Sequence, residues 1–312
     1  MFLPSHIGPT APPVDFGHVF DVPRLRKTLN IPILEWHEVK DRDSEEIDEI
    51  GCWNTWAAVA ESEDQPRHSF VPDHLKLAPK SIKVPSWDGD THSYFWSLAA
   101  LAFPETREAN LVPPHESPDH HVLLPPDEQM LCYDYMYYVC ANEPFEMGVD
   151  YSPAWRFVGK YLHWSPRIEK LAYQYVRQTL GTPEDEPTPP ASIVSTFQNT
   201  HIHSCLCIQW IAIHVRRARR VDEVKTELLQ RKGISVEHVI MTSDERDTVW
   251  WDDVKGKGWY PIFIDAAIQS LGVGFVGTDQ STMSMVARRR VESWTDGAVR
   301  IFKWGEPNAD DH

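Results

Sequence analysis

The sequence predicts an α/β protein with a parallel, Rossmann-type sheet in its C-terminal half. Three observations carry this. From residue 209 onward, short apolar runs alternate with helical segments, the order that buries a parallel sheet between helices. The runs end at His214 to Arg217, Thr242 to Glu245 and Gly277 to Thr282, at the sheet edge where such folds take ligands. Thr182–Ser192, with four prolines and three acids in eleven residues, reads as a linker. The expected division is an N-terminal domain over 1–181, a linker over 182–192 and a C-terminal Rossmann-type domain over 193–312.

Taken in order, the first 36 residues are extended and proline-rich apart from Val22–Asn30, a short helix stopped by Pro32. Ile31–Trp36 (IPILEW) reads as a buried strand, and the acidic run His37–Trp53 as a solvated helix or loop. Residues 60–125 give little periodicity. Leu131–Cys140 fits strand or helix equally. VGKYLHW, ending at Trp164, suggests a strand or an extended arm. Ser165 and Pro166 then start a helix with Ile168, Leu171, Ala172, Tyr175, Val176 and Leu180 on one face, which Gly181 ends.

Beyond the linker, Gln209–Val215 reads as a buried strand, Val221–Gly233 as a helix, His238–Glu245 as a strand and Glu245–Gly258 as a helix. Next come a short helix carrying Ile264, Ile268 and Leu271, a turn at Gly272 and a strand at Gly274–Val276. The loop Gly277–Thr282 opens a long helix, with Met283, Val286, Ala287, Val291 and Trp294 spaced to share an apolar side. Ala298–Trp304 gives a last strand.

Composition narrows the function. The chain has 312 residues, 42 % of them hydrophobic and 24 % charged, as expected of a soluble globular protein. A formal net charge of −16 argues against general nucleic-acid binding, which needs a basic surface. No apolar run approaches the length of a membrane span. The opening residues lack the basic flank and apolar core of a signal peptide. The five cysteines follow no CxxC spacing.

Three constellations carry chemistry. HVRRARR (His214–Arg220) ends a buried strand in planar, permanently charged forks suited to phosphate. Strand alternation sends Arg216 and Arg217 to opposite faces, so one of them enters the pocket. At Gly277–Thr282 a glycine turn leads into Asp279, Ser281 and Thr282, all good N-cap types, and unpaired N–H groups with the helix dipole favour an anion there. Asp265, on the preceding helix, is able to accept hydrogen bonds from a base or sugar. Each has a plainer use as a helix cap or a solvated side chain. His201, His203, Cys205 and Cys207 share one face of any strand, but side chains along one strand do not readily surround a tetrahedral ion, so no metal is expected.

IAIHVRR (Ile211–Arg217), the strand with TSDE (Val239–Glu245), and IDAAIQSLGVGFVGTDQSTMS followed by VARRRVESW together resemble the GDP-fucose protein O-fucosyltransferases. The resemblance implies a GT-B-like fold of two Rossmann-type domains, with GDP-fucose as donor and no metal requirement. It implies transfer of fucose to a Ser/Thr hydroxyl of a protein or glycan acceptor, and an ER or Golgi location. Arg216 takes the place of the arginine that contacts the diphosphate, beside His214. Ser281 and Thr282 take the place of the diphosphate-binding pair, with Met283 next to them, and Asp265 that of the nucleotide-contacting acid. No residue is assigned as catalytic base. The chain departs from the family in running directly from HVRRARR into VDEVKTELL, and in a proline-rich opening where members carry a glycine- and asparagine-rich motif. The alternatives are a relative that binds the sugar nucleotide or a glycan without turnover, and an α/β enzyme of another phosphorylated ligand.

Overall fold

The computed structural model describes residues 14–54, 74–83, 103–105, 132–134, 153–182, 208–214, 220–242, 260–279 and 281–303. Two compact units divide the chain. One is Leu34–Pro153; the other joins Met1–Ile33 to Ala154–His312.

Helices α1 (Phe16–Val19) and α2 (Val22–Leu29) come first. Asp21 caps α2 by accepting the Arg24 N–H at 3.0 Å, and Asn30 closes it in the left-handed region. The apolar run Ile31–Trp36, expected as a buried strand, is not one. Ile31 and Leu34 are 50 % and 62 % exposed, and Trp36 already begins α3 (Trp36–Val39). Pro32 interrupts the run and has no N–H to give a ladder.

The acidic stretch His37–Trp53 departs from expectation in the other direction. It contains β1 (Asp48–Asn54), the middle strand of a parallel sheet with β2 (Leu77–Lys83) and β3 (Cys132–Asp134). Lys40 explains how an acid can start that strand. Its Nζ donates to Asp48 Oδ2 at 2.6 Å and to the Lys76 carbonyl at 3.1 Å, which neutralises the carboxylate and fixes the entry to β2.

The larger unit resumes with α4 (Pro153–Phe157) and a 3₁₀ turn at Gly159–Tyr161, where an extended arm was one expectation. Trp164 bridges to Phe20, tying the N-terminal segment to the next helix. That helix, α5 (Pro166–Leu180), follows its sequence signals closely. Ser165 accepts the Ile168 N–H, Pro166 occupies the first turn, and Gly181 ends the helix at φ 65°.

The remaining elements are β4 (Trp210–Ile213), α6 (Val221–Lys232), β5 (His238–Met241), α7 (Tyr260–Leu271), β6 (Gly274–Thr278), α8 (Thr282–Arg290) and β7 (Ala298–Phe302). The helix expected at Glu245–Gly258 lies outside the described residues. The four strands form one parallel sheet in the order β5-β4-β6-β7. All four residues of β4 are buried, as a strand covered on both faces requires. Trp210 and Ala212 enter the core built by α5, α7 and α8, while Ile211 and Ile213 face α6 with Val224 and Leu228. Gly274 of β6 is small for a reason: a Cβ there would stand 2.7 Å from Val224 Cγ1.

This packing moves the expected domain boundary. Ile168, Ala172 and Val176 of α5 are fully buried in the same core as Trp210 and Ala267, together with Val19 and Phe20. Helix α5 and the N-terminal segment therefore belong with the C-terminal sheet and not with an N-terminal domain over 1–181. Proline and acid content marks where a chain is irregular. It does not say on which side the flanking helix finds an apolar partner.

The buried side of α8 also differs from the expected one. Ser284, Ala287, Arg290, Val291 and Trp294 are buried, whereas Val286 is 39 % exposed. Ser284 is drawn toward the sheet by hydrogen bonds, and a residue two positions on then points the other way. A π turn at Val291–Thr295 ends the helix and brings Trp294 inward, where its Nε1 donates to the Lys160 carbonyl at 2.8 Å. Among the described residues no helix is long and apolar enough to cross a membrane.

Candidate functional site at the switch point of the parallel sheet

Strand β4 lies between β5 and β6, so the chain leaves it to one side and later returns on the other. Helix α6, after β4, covers one face, and α8, after β6, covers the opposite face. Parallel sheets open a crevice at the carboxyl ends of two such strands. Here those ends are His214 and the loop from Gly277 to Thr282.

The register makes them neighbours. Ile213 pairs with Val276, and the His214 N–H donates to the Val276 carbonyl at 2.8 Å. Continuing the alternation beyond Ile213 turns the half-buried His214 toward the face of α8. Its Nδ1 lies 2.8 Å from Oγ of Ser284, which is fully buried. Ser284 Oγ also accepts the Thr278 N–H at 3.0 Å, and Thr278 Oγ1 donates to the His214 carbonyl at 3.1 Å. The two strand ends and the first turn of α8 form one hydrogen-bonded unit.

Backbone bookkeeping shows what that unit leaves unused. Ser281 caps α8, accepting the Ser284 N–H on its Oγ at 3.3 Å. The Asp279 N–H goes to the Phe302 carbonyl. The amides of Thr282 and Met283, the first two helical positions, have no partner among the described residues. They point out of a helix N-terminus, where the dipole adds to their pull on an anion.

Gly277 permits the close approach of loop and helix. A Cβ there would lie 2.5 Å from the Phe275 ring and 2.9 Å from Ser284 Cβ. At the end of β5, Thr242 donates its N–H to the Ile213 carbonyl at 3.0 Å, and its Oγ1 accepts from Gln269 Nε2 at 2.7 Å. Gln269 is almost fully buried on α7, and its Oε1 has no partner among the described residues.

Of the residues expected at the site, His214 and Ser281 meet through Ser284. Thr282 and Met283 follow at the head of the same helix. Asp265 sits half-buried on α7, one turn before Gln269, and burial pushes its carboxyl up to about 7. Arg216, Arg217, Ser243 to Glu245 and the His201–Cys207 segment lie outside the described residues. Among the described residues no group of three or more His, Cys, Asp or Glu side chains is placed to hold a metal ion. Sequence reading missed Ser284, Thr278 and Gln269. Ser284 had a signal, since it stands three residues after the N-cap, where a side chain faces back over the capped turn.

Comparisons with protein-family models and with curated proteins found no match. Solved structures similar to the chain include POFUT1 in complex with GDP-fucose (crystal form I), at 14 % identity and a TM-score of 0.47, covering 95 % of this chain and 85 % of that one. POFUT1 in complex with GDP (crystal form III) gives 15 % and 0.46, over 95 % and 86 %. The POFUT1 apo form gives 14 % and 0.45, over 93 % and 84 %.

Proposed function

We propose that the crevice between the ends of β4 and β6 holds the diphosphate of a nucleotide sugar, GDP-fucose, and that the protein transfers fucose to a Ser/Thr hydroxyl of a protein or glycan acceptor. The observation that carries the diphosphate is the pair of unused amides at Thr282 and Met283, next to His214 at the switch of a parallel sheet. The choice of GDP-fucose comes from the motifs that resemble the O-fucosyltransferases.

In this reading Arg216 and the α8 amides stabilise charge that develops on the departing diphosphate. The bond from the sugar's anomeric carbon to the β-phosphate oxygen breaks, a bond to the acceptor oxygen forms, and the acceptor's proton leaves to a base. Asp265, whose carboxyl burial raises to about 7, carries its proton far more often near neutral pH than an ordinary aspartate and is suited to pair with a polar edge of the base or ribose. The reading needs no metal, since backbone donors and arginine supply the positive field.

A second reading keeps the donor site and omits turnover. It is favoured by the direct passage from His214–Arg220 into α6, which begins at Val221 and leaves no long loop to reach over the sugar. The experiment that separates the two follows GDP released from GDP-fucose with pooled Ser/Thr-containing peptides and glycans as acceptors. Acceptor-dependent release supports transfer. Saturable GDP binding without release supports the binding-only protein.

A further inference from the structure

We infer that Ser284 is a positioning residue that fixes the tautomer of His214, holding the proton of the neutral imidazole on Nε2. The inference deepens the diphosphate reading of the crevice and rests on it for the ligand, though not for the tautomer.

The hydroxyl proton of Ser284 decides the tautomer. Ser284 is fully buried, so its O–H has no access to bulk water and needs a protein acceptor. Two groups approach its Oγ. The Thr278 amide, at 3.0 Å, is a donor only and takes one lone pair of the oxygen. His214 Nδ1, at 2.8 Å, is the other. Among the described residues no other hydrogen bond reaches this oxygen, and the serine's own N–H is spent on Ser281.

If Nδ1 carried the proton, the oxygen would accept twice and the hydroxyl hydrogen would be stranded in the interior. If the hydroxyl donates to Nδ1, both the hydroxyl and Nδ1 are satisfied. The second arrangement wins, because an unmade buried hydrogen bond costs more than a made one contributes. Neutral His214 then carries its proton on Nε2.

The consequence is chemical. A neutral imidazole with Nε2–H donates to an oxygen of either charge and adds no charge of its own. The Thr278 amide locks the serine, and Thr278 Oγ1 holds the His214 carbonyl at 3.1 Å, so ring and backbone are fixed from the same loop.

The test is nitrogen NMR of the full chain labelled with ¹⁵N-histidine. The chain has 15 histidines, so the His214 signals are assigned by their loss in His214→Gln. In the ligand-free protein we expect Nε2 to be the protonated nitrogen and Nδ1 the bare one. Ser284→Ala should mix the two tautomers and weaken GDP binding about tenfold, while Ser284→Thr, which keeps the hydroxyl, retains a single tautomer. A protonated Nδ1 in the wild-type chain overturns the inference, whatever the variants do. An Nε2–H signature with no response to GDP leaves the role of Ser284 standing and removes the diphosphate reading alone.

Discussion

The guanidinium carbon of Arg290 lies 4.2 Å from the ring centroid of Trp164. Trp294 at 5.1 Å and Phe20 at 5.7 Å complete a box of three rings around it. Arg290 is 4 % exposed, and among the described residues no carboxylate pairs with it. Burial pulls its guanidinium down to about 9, still charged at neutral pH. The rings come from the N-terminal segment, the entry to α5 and the π turn, so one side chain joins three distant parts of the chain. Desolvated cation–π contacts are worth about 2 kcal/mol or more. Arg290→Ala should therefore cost about 2–4 kcal/mol in urea unfolding through lost contacts and a cavity. Arg290→Met refills the volume without the desolvation cost and should cost less. Equal losses would mean that the charge itself holds the box together.

Two buried groups near this box give stability opposite pH slopes. Burial is the main cause in each: it raises Glu169 from 4.5 to about 7, and it lowers His163, stacked 4.4 Å from Trp294, from 6.5 to about 3. With Glu169, the folded chain holds a proton that the unfolded chain releases, so its contribution is full below about 4.5 and is lost as pH rises through 7. His163 stays neutral in the fold, so its contribution is full above about 6.5 and is lost as pH falls toward 3. Each amounts to a few kcal/mol. In urea melts between pH 4.5 and 8, Glu169→Gln should flatten the alkaline loss and leave the acid limb in place. An unchanged alkaline limb would place that loss elsewhere.

Gly277 links fold to site. With neighbours at 2.5 and 2.9 Å, an added methyl must push α8 away from β6. Gly277→Ala should cost about 1–3 kcal/mol, the usual range for overpacking. It should also weaken GDP binding by more than that loss of folded population explains, because the Thr282 and Met283 amides move with the helix. Binding measured well below the melting temperature separates the two effects, and unchanged affinity there would place the ligand elsewhere.

The face of α8 is tested by two neighbours. Val286 is 39 % exposed and Ala287 is 2 % exposed. Val286→Lys should stay within about 0.5 kcal/mol of the parent, whereas Ala287→Lys buries a charge in the apolar core and should cost more than about 3 kcal/mol. Apolar spacing alone would have ranked the two alike.

That contrast shows what the sequence could reveal. Helix α5 was legible to the residue because its signals are local: Ser165 as cap, Pro166 in the first turn, Gly181 at a left-handed exit. The strands β4 and β6 were legible because apolar runs between helices have few other uses. Ile31–Trp36 was misread because an apolar run carries no information about whether anything will cover it. Strand β1 was misread because its acid is neutralised by Lys40, a partner eight residues away that composition does not reveal. The Val286 face was misread because Ser284, a polar residue, takes the inward position through hydrogen bonds. The site's expected residues were named from motif types, while the hydrogen bond from Ser284 to His214, 70 residues apart, is visible only once β4 and α8 are side by side.

The most direct test of the central claim is a thermal-shift titration of the chain with GDP, GDP-fucose, UDP and ADP, run beside Arg216→Ala. A ligand that binds only the folded state, at a hundred times its Kd, adds about 2.7 kcal/mol to stability. The account predicts a rise in Tm with GDP and GDP-fucose, little with UDP or ADP, and loss of the rise in Arg216→Ala. No shift with any of the four from a well-folded sample, or one that survives the loss of Arg216, would contradict it.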